Sequence, residues 1–250
     1  QALEVAWFGE GYVSNRSLWI SLFEALNNRR TLRRLRRHVV PGSKMLEVGV
    51  GSGSLLLAAR KAGYDVSGVD LSPQICSAAA ALSGVNIHNA PLCALEGREE
   101  FDAVVLNHVV EHVNDPRRFV GEAGAVLRSG GILHVAVPNI DSWGGRFRSW
   151  VSYEPYHLTY FGRSTLVRLL QEAGFEILSV GTHESFSGWA LVVMRALAGR
   201  NRGDGVIRGI QGASGSQAAP RGPVMESCYR LALIAAGLLS WPLRLVQSLT

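Results

Sequence analysis

Residues 45–53 read Met45-Leu46-Glu47-Val48-Gly49-Val50-Gly51-Ser52-Gly53, a short apolar run carrying an acid and followed by glycines at alternate positions. Glycine lets a backbone turn sharply and approach a ligand that a Cβ would push away. Val69-Asp70 closes the next apolar stretch, and a carboxylate at that place accepts hydrogen bonds from the two hydroxyls of a ribose. The two features together describe a strand–loop–helix–strand unit that binds a nucleoside. The plain alternative is a tight turn without a ligand, and the pairing with Asp70 argues against it.

A dinucleotide fingerprint that begins at Gly49 places glycine or alanine at its sixth position, where this chain has Ser54. The loop is also preceded by Glu47, and a carboxylate beside a pyrophosphate is repulsive, whereas one beside a cation is attractive. S-adenosylmethionine (SAM) meets that requirement. It bears a sulfonium and an ammonium, and its single carboxylate suits the helix N-terminus beyond Gly53.

The chain has 250 residues, 47% of them hydrophobic, enough for one substantial core with an appendage. That composition excludes a disordered protein. Cys76, Cys93 and Cys228 lack metal-ligand or disulfide spacing, which suits a reducing compartment, and nothing from Gln1 onward reads as a signal peptide. The expected location is cytoplasmic. The net charge of +5 is concentrated at Arg29, Arg30, Arg33, Arg34, Arg36 and Arg37, and the favoured reading of that run is a solvated helix face. Nucleic acid, an anionic lipid surface and an acidic substrate are the other partners such a face admits.

Leu18, Leu22, Leu26, Leu32 and Leu35 recur with helical period within 15–38, and Pro41-Gly42 ends the pattern. Strands are then expected at 44–48, 65–69, 85–88, 102–106 and 131–137, with helices at 54–62, 73–82, 116–128 and 164–174. Such alternation implies a parallel sheet covered on both faces. The apolar runs 175–183 and 189–195 are too close for a crossover helix and are expected to pair antiparallel. Residues 199–223, rich in Gly, Ser, Ala, Gln and Pro, read as a flexible linker. Residues 224–250 turn apolar again. The uncharged stretch 231–243 would span about 20 Å as a helix, short of the roughly 30 Å hydrocarbon core, and Pro242 would bend it.

The segment Phe101-Asp102 through Asn107-His108-Val109-Val110-Glu111-His112-Val113-Asn114-Asp115-Pro116, followed by Val126 to Asn139, resembles the stretch from motif IV to motif V of class I SAM-dependent methyltransferases. Pro155-Tyr156-His157-Leu158-Thr159-Tyr160-Phe161, with Leu169 to Phe175, is similar to the bacterial subgroup of ubiquinone-pathway O-methyltransferases. The resemblance spans residues 10–196. It implies an α/β fold: a Rossmann-like doubly wound sheet with an antiparallel last strand, an N-terminal helical cap (1–40) and a SAM-binding domain (41–198) with a lid insertion at 139–163; composition adds the linker 199–223 and a C-terminal apolar helix (224–250).

The same resemblance assigns the cofactor contacts. Glu47 and the backbone of Gly49, Val50, Gly51 and Gly53 would hold the methionine part, Asp70 the ribose, and Leu71 would lie along the adenosine. Family members often carry Gly-Asp-Ala after the third strand; here His88-Asn89-Ala90 stands instead, and Asn89 can still accept from the adenine amino group. Asn107 and His108 fall at the carboxyl end of the fourth strand, near the transferable methyl.

A hydroxyl acceptor must lose its proton during transfer, and histidine is the natural base. His157 is the first candidate and His112 the second. Tyr156, His157 and Tyr160 belong to an aromatic insertion expected to cap the acceptor pocket. An equal alternative has His157 anchoring its own loop by a backbone hydrogen bond. His108-x-x-Glu111-His112 matches a zinc-protease pattern, but that motif belongs on a helix and these residues follow a strand, so no metal is expected.

The expected function is SAM-dependent O-methylation of a small molecule, with S-adenosylhomocysteine (SAH) as the second product. Asn107-His108-Val109-Val110 argues against a nucleic-acid methyltransferase, whose amino-methylating members resemble Asn or Asp-Pro-Pro-Tyr there. A nicotinamide oxidoreductase and a non-catalytic SAM-binding module are the alternatives. The apolar tail adds three expectations: packing on its own domain, homodimerisation, or peripheral membrane contact and with it a membrane-associated location.

Overall fold

A computed structural model describes residues 18–97, 100–147, 150, 152–153 and 156–183. It divides into two compact units, Gln1–Val137 and Pro138–Thr250.

In the first unit α1 (Leu18–Leu35) precedes an alternation of β1 (Lys44–Val48), α2 (Ser54–Lys61), β2 (Asp65–Asp70), α3 (Pro73–Ser83), β3 (Ile87–Asn89), β4 (Phe101–Asn107), α4 (Pro116–Ala125) and β5 (Leu127–Ala136). The strands form one parallel sheet in the order β3-β2-β1-β4-β5. The chain therefore reverses direction across the sheet between β1 and β4, and their carboxyl ends frame the crevice where open α/β sheets bind ligands. Met45, Leu46, Val69 and Ala103 to Leu106 are wholly buried, as a sheet covered on both faces requires. On one face Met45, Ala103 and Val105 pack with Leu55, Leu56 and Ala59 of α2 and with Leu32 and Leu35 of α1.

Local chemistry places the helix starts. Ser72 accepts from the Ile75 N–H ahead of Pro73, and Asp115 accepts from the Arg118 N–H ahead of Pro116, so each helix opens with a side-chain cap and a proline in its first turn. At the opposite edge, the Lys44 N–H donates to Asp102 at 2.7 Å and Arg128 pairs with the same carboxylate, which ties the starts of β1, β4 and β5 together. The α4 helix stops three residues before the expected end at 128, and β5 begins earlier than 131. The Phe101 N–H donates to the Val126 carbonyl, and the register shifts between Phe101 and Ala103 around Gly130, which holds φ at 73°. That irregularity draws Leu127 into the sheet.

The second unit holds a single turn of 3-10 helix (Gly144–Arg146) and α5 (Arg163–Glu172), with an isolated parallel bridge from Asn139 to Phe161. The antiparallel last strand is absent from the described sheet. Residues 175–183 form no strand, and their expected partner, 189–195, lies outside the described residues. The linker 199–223, the tail 224–250 and the residues before 18 lie outside them as well.

The expectations of peripheral membrane contact, of a homodimer through the apolar tail and of a cytoplasmic or membrane-associated location are corrected here. Among the described residues no helix is long and apolar enough to cross a membrane, and the segment that prompted the idea is not among them. The longest described helix, α1, presents exposed Arg29, Arg30, Arg33 and Arg34.

Candidate functional site

Gly49, Gly51 and Gly53 all take positive φ between β1 and α2, but their surroundings differ. A Cβ on Gly53, at φ 75°, would come to 2.9 Å from the Ala79 backbone, so this glycine lets α2 begin against α3. A Cβ on Gly51 would meet nothing within 4 Å. The first position serves packing; the second leaves open space above the turn, the place for a ligand to lie close to the backbone. Gly68, which no motif singles out, belongs to the same construction: a Cβ there would strike Val50 at 2.6 Å, so β2 needs glycine to seat the loop.

Strand alternation puts Glu47 on the same face as Met45, beneath the start of α2. Its side chain is buried and its Oε2 has no hydrogen-bond partner. Burial pushes its carboxyl well above the usual carboxylate range; the charges of Glu24 and Asp70 push the same way, and only the Leu56 N–H opposes them. Such a carboxyl lacks a cation. The ammonium of SAM is of the right sign to supply one, and the residues present therefore fit that cofactor.

Asp70 ends β2 with Oδ1 accepting from the Ser72 N–H at 2.9 Å, which fixes the carboxylate at the sheet edge. Leu71 follows with 69% of its surface exposed, an apolar side chain open beside the turn. Asn89 lies opposite Asp70 in the β2–β3 register and donates its amide N–H to the Asp70 carbonyl at 3.1 Å, which leaves its own carbonyl oxygen as the remaining acceptor. Ala90 follows directly, half-buried. At the end of β4, Asn107 Oδ1 is buried without a partner.

Beyond it His108 takes φ 55°, and it is the one non-glycine residue with positive φ among the described residues. Its ring Nδ1 is 3.2 Å from Oε1 of the fully buried Glu111, whose Oε2 also lacks a partner. Val110–His112 form a single 3-10 turn and not the α-helix of a zinc protease, and His112 is half-buried there. Among the described residues the buried side-chain atoms without a hydrogen bond belong to Glu47, His88, Asn107 and Glu111. All of them fall on the carboxyl-terminal side of the first unit's sheet, and unpaired buried polar groups gathered in one place mark a binding site.

Sequence reasoning missed the way α1 closes on this loop. Ser52 Oγ donates to the Glu24 carboxylate at 3.3 Å, and the Asn28 amide donates to Ser54 Oγ at 3.0 Å. Neither Glu24 nor Asn28 belongs to a motif. Tyr12 and Arg16, which sequence position suggests as a cover for the cofactor, lie outside the described residues.

In the second unit the aromatic insertion is a packed cluster. Trp150 meets Tyr153 edge-on at 5.1 Å, Tyr153 meets Tyr160 at 5.6 Å, and His157 stands edge-on to Tyr156 at 5.0 Å and to Tyr160 at 6.1 Å. His157 Nδ1 lies 2.7 Å from the Ser152 carbonyl, so this nitrogen donates. The anchoring bond weighed against catalysis is therefore present.

A family model described as a methyltransferase domain matches residues 21–180. A ubiquinone biosynthesis O-methyltransferase of Bradyrhizobium sp. is 31% identical over 148 residues, which cover 57% of this chain and 51% of that protein. The chain spans about half the length, or less, of the curated relatives it matches. Among solved structures, a SAM-dependent methyltransferase from Archaeoglobus fulgidus superposes with TM-score 0.54 at 16% identity, covering 90% of this chain and 93% of that one. The (4+2)-cyclase SpnF superposes with TM-score 0.55 at 22% identity, covering 86% and 75%. At such identities these likenesses bear on the fold alone, and the cyclase illustrates that one fold carries different reactions.

Proposed function

The chain belongs to the methyltransferase-domain family of class I SAM-dependent enzymes, and from that premise we propose that it methylates an oxygen of a small-molecule acceptor. The observation that carries the cofactor half is the buried carboxyl of Glu47, its Oε2 without a hydrogen-bond partner, beside a glycine turn that faces open space at Gly51. The oxygen half is supported by the similarity to ubiquinone biosynthesis O-methyltransferases.

When bound, SAM supplies a methyl group made electrophilic by its sulfonium. Everything else is the task of this chain's residues. Glu47 holds the ammonium, and the desolvation that disfavours its charge without a cation strengthens the attraction once one is present. Asp70 holds the ribose diol, Leu71 covers the adenine on one side, and Asn89 and Ala90 border its amino edge. Methyl transfer is an in-line displacement that consumes charge, so alignment and exclusion of water dominate the rate. For Tyr156, His157 and Tyr160, an aromatic cluster of the second unit, the role is binding of the acceptor.

Titration calorimetry tests the cofactor first: SAM and SAH bind and NADH does not. A mass-spectrometric screen across phenols, quinol precursors and sugars then looks for the mass gain of one methyl group in place of hydrogen. Heat with NADH and none with SAM would return the chain to the oxidoreductase reading, and SAM binding without any methylated product would favour a non-catalytic module.

A further inference from the structure

His108 is held in a conformation its residue type rarely adopts. At φ 55° it costs on the order of 1–2 kcal/mol relative to an ordinary backbone, and such strain survives where surrounding structure enforces it, most often at a working site. Two things enforce it here. The His108 N–H is bound to the Ala136 carbonyl of β5 at 2.8 Å, and the ring is held from below by Glu111. The side chain of His108 is 67% exposed and that of Glu111 1%, so one edge of the imidazole is fixed by a buried carboxylate while the other is accessible.

We propose that His108, oriented by Glu111, is the base that removes the acceptor's proton, the role that sequence alone gives to His157 and then to His112. This deepens the oxygen-transfer reading and rests on it. A carboxylate only accepts hydrogen bonds, so it fixes the proton on Nδ1 and the lone pair on Nε2. As the acceptor oxygen bonds to the methyl carbon, the carbon–sulfur bond breaks with its electron pair staying on sulfur, and the hydroxyl proton passes to Nε2. The imidazolium so formed is stabilised by Glu111, and its exposed edge returns the proton to water. Position supports the assignment. His108 directly follows Asn107 at the carboxyl end of β4, next to the switch between β1 and β4, whereas His157 has its Nδ1 committed to holding a loop of the second unit. Glu111 is a positioning residue, since it acts only through the ring.

The first test needs no acceptor. In histidine-labelled protein, nitrogen NMR reports His108 with its proton on Nδ1, and Glu111→Leu, which has no acceptor, moves a substantial fraction to Nε2. A proton on Nε2 in the parent protein, or a tautomer indifferent to Glu111→Leu in a variant of parental far-UV circular dichroism, overturns the proposal. The second test uses the phenolic acceptor that the parent enzyme methylates. His108→Asn keeps a residue tolerant of positive φ but removes the base, and kcat falls about 100- to 10,000-fold while Kd for SAM stays within about twofold. His108→Gly, which opens room for added imidazole, regains activity with that buffer and shows a role in chemistry that a structural residue would not. A kcat within about tenfold of the parent for His108→Asn, or no rescue, refutes the assignment. Failure of the parent protein to bind SAM, or to methylate any phenol, strikes the broader reading instead.

Discussion

Replacing Gly53 and Gly51 separately by alanine distinguishes packing from ligand approach within one turn. Both positions have positive φ, so either alanine costs about 1–2 kcal/mol of backbone strain. At Gly53 the new methyl would also lie 2.9 Å from the Ala79 Cα, Cβ and carbonyl oxygen, all but the Cβ rigid backbone, and overpacking of that kind adds about 1–3 kcal/mol. The total, about 2–5 kcal/mol, lowers Tm by roughly 4–20 °C for a domain of this size. At Gly51 nothing lies within 4 Å, so the stability loss stops at strain, about 1–2 kcal/mol, while the methyl enters the space assigned to the cofactor. There the affinity for SAM drops by about 1–3 kcal/mol, roughly 5- to 150-fold in Kd. Differential scanning calorimetry and titration calorimetry with SAH measure the two quantities on the same preparations. A Gly51→Ala protein that binds SAH as the parent does would remove the ligand from the turn, and a Gly53→Ala protein of unchanged Tm would refute the packing account.

Asp70→Asn keeps an acceptor for the Ser72 N–H but loses the charge offered to the ribose; SAH affinity falls roughly 10- to 150-fold with little change in Tm, and an unchanged calorimetric titration contradicts the assignment. Glu47→Gln removes a titration. Because burial raises the folded-state pKa above the ordinary 4.5, the cofactor-free parent has this group's stability in full below that value and loses it as pH rises through the raised one. Urea midpoints of the glutamine variant lack that decline, and SAM binds more weakly; parallel pH profiles for the two proteins would show that Glu47 is not the group. His157→Gln keeps a hydrogen-bonding side chain and raises the acceptor KM more than it lowers kcat, the reverse of His108→Asn, and steady-state kinetics on both variants settles which histidine takes the proton. Glu24→Ala frees the Ser52 hydroxyl and exposes the loop amides to faster hydrogen exchange without altering far-UV circular dichroism; unaltered exchange at 50–54 would mean α1 does not restrain the turn.

Periodicity and turn chemistry carried most of the fold. Alternating apolar runs place the five strands, Pro41-Gly42 ends the first helix pattern, and Gly49, Gly51 and Gly53 with Asp70 mark the carboxyl ends of β1 and β2. These are short-range signals, each set by neighbours within a few residues. The end of α4 and the start of β5 were misplaced because a bulge near Gly130 depends on the partner strand β4. The pairing of 175–183 rests on spacing to 189–195, which lies outside the described residues.

What the amino-acid order determined by itself is a parallel α/β sheet with a ligand turn after its first strand, since backbone freedom and hydrophobic period are written residue by residue. Tertiary structure alone decided the state of the site. Glu24 reaches Ser52 across 28 positions of sequence, Glu47 is deprived of water by the helices laid over it, and His108 acquires its strained backbone and its carboxylate partner from the way β4 meets β5 and the turn beyond. Burial and long-range contact set electrostatics, and neither is a property of any short stretch of chain.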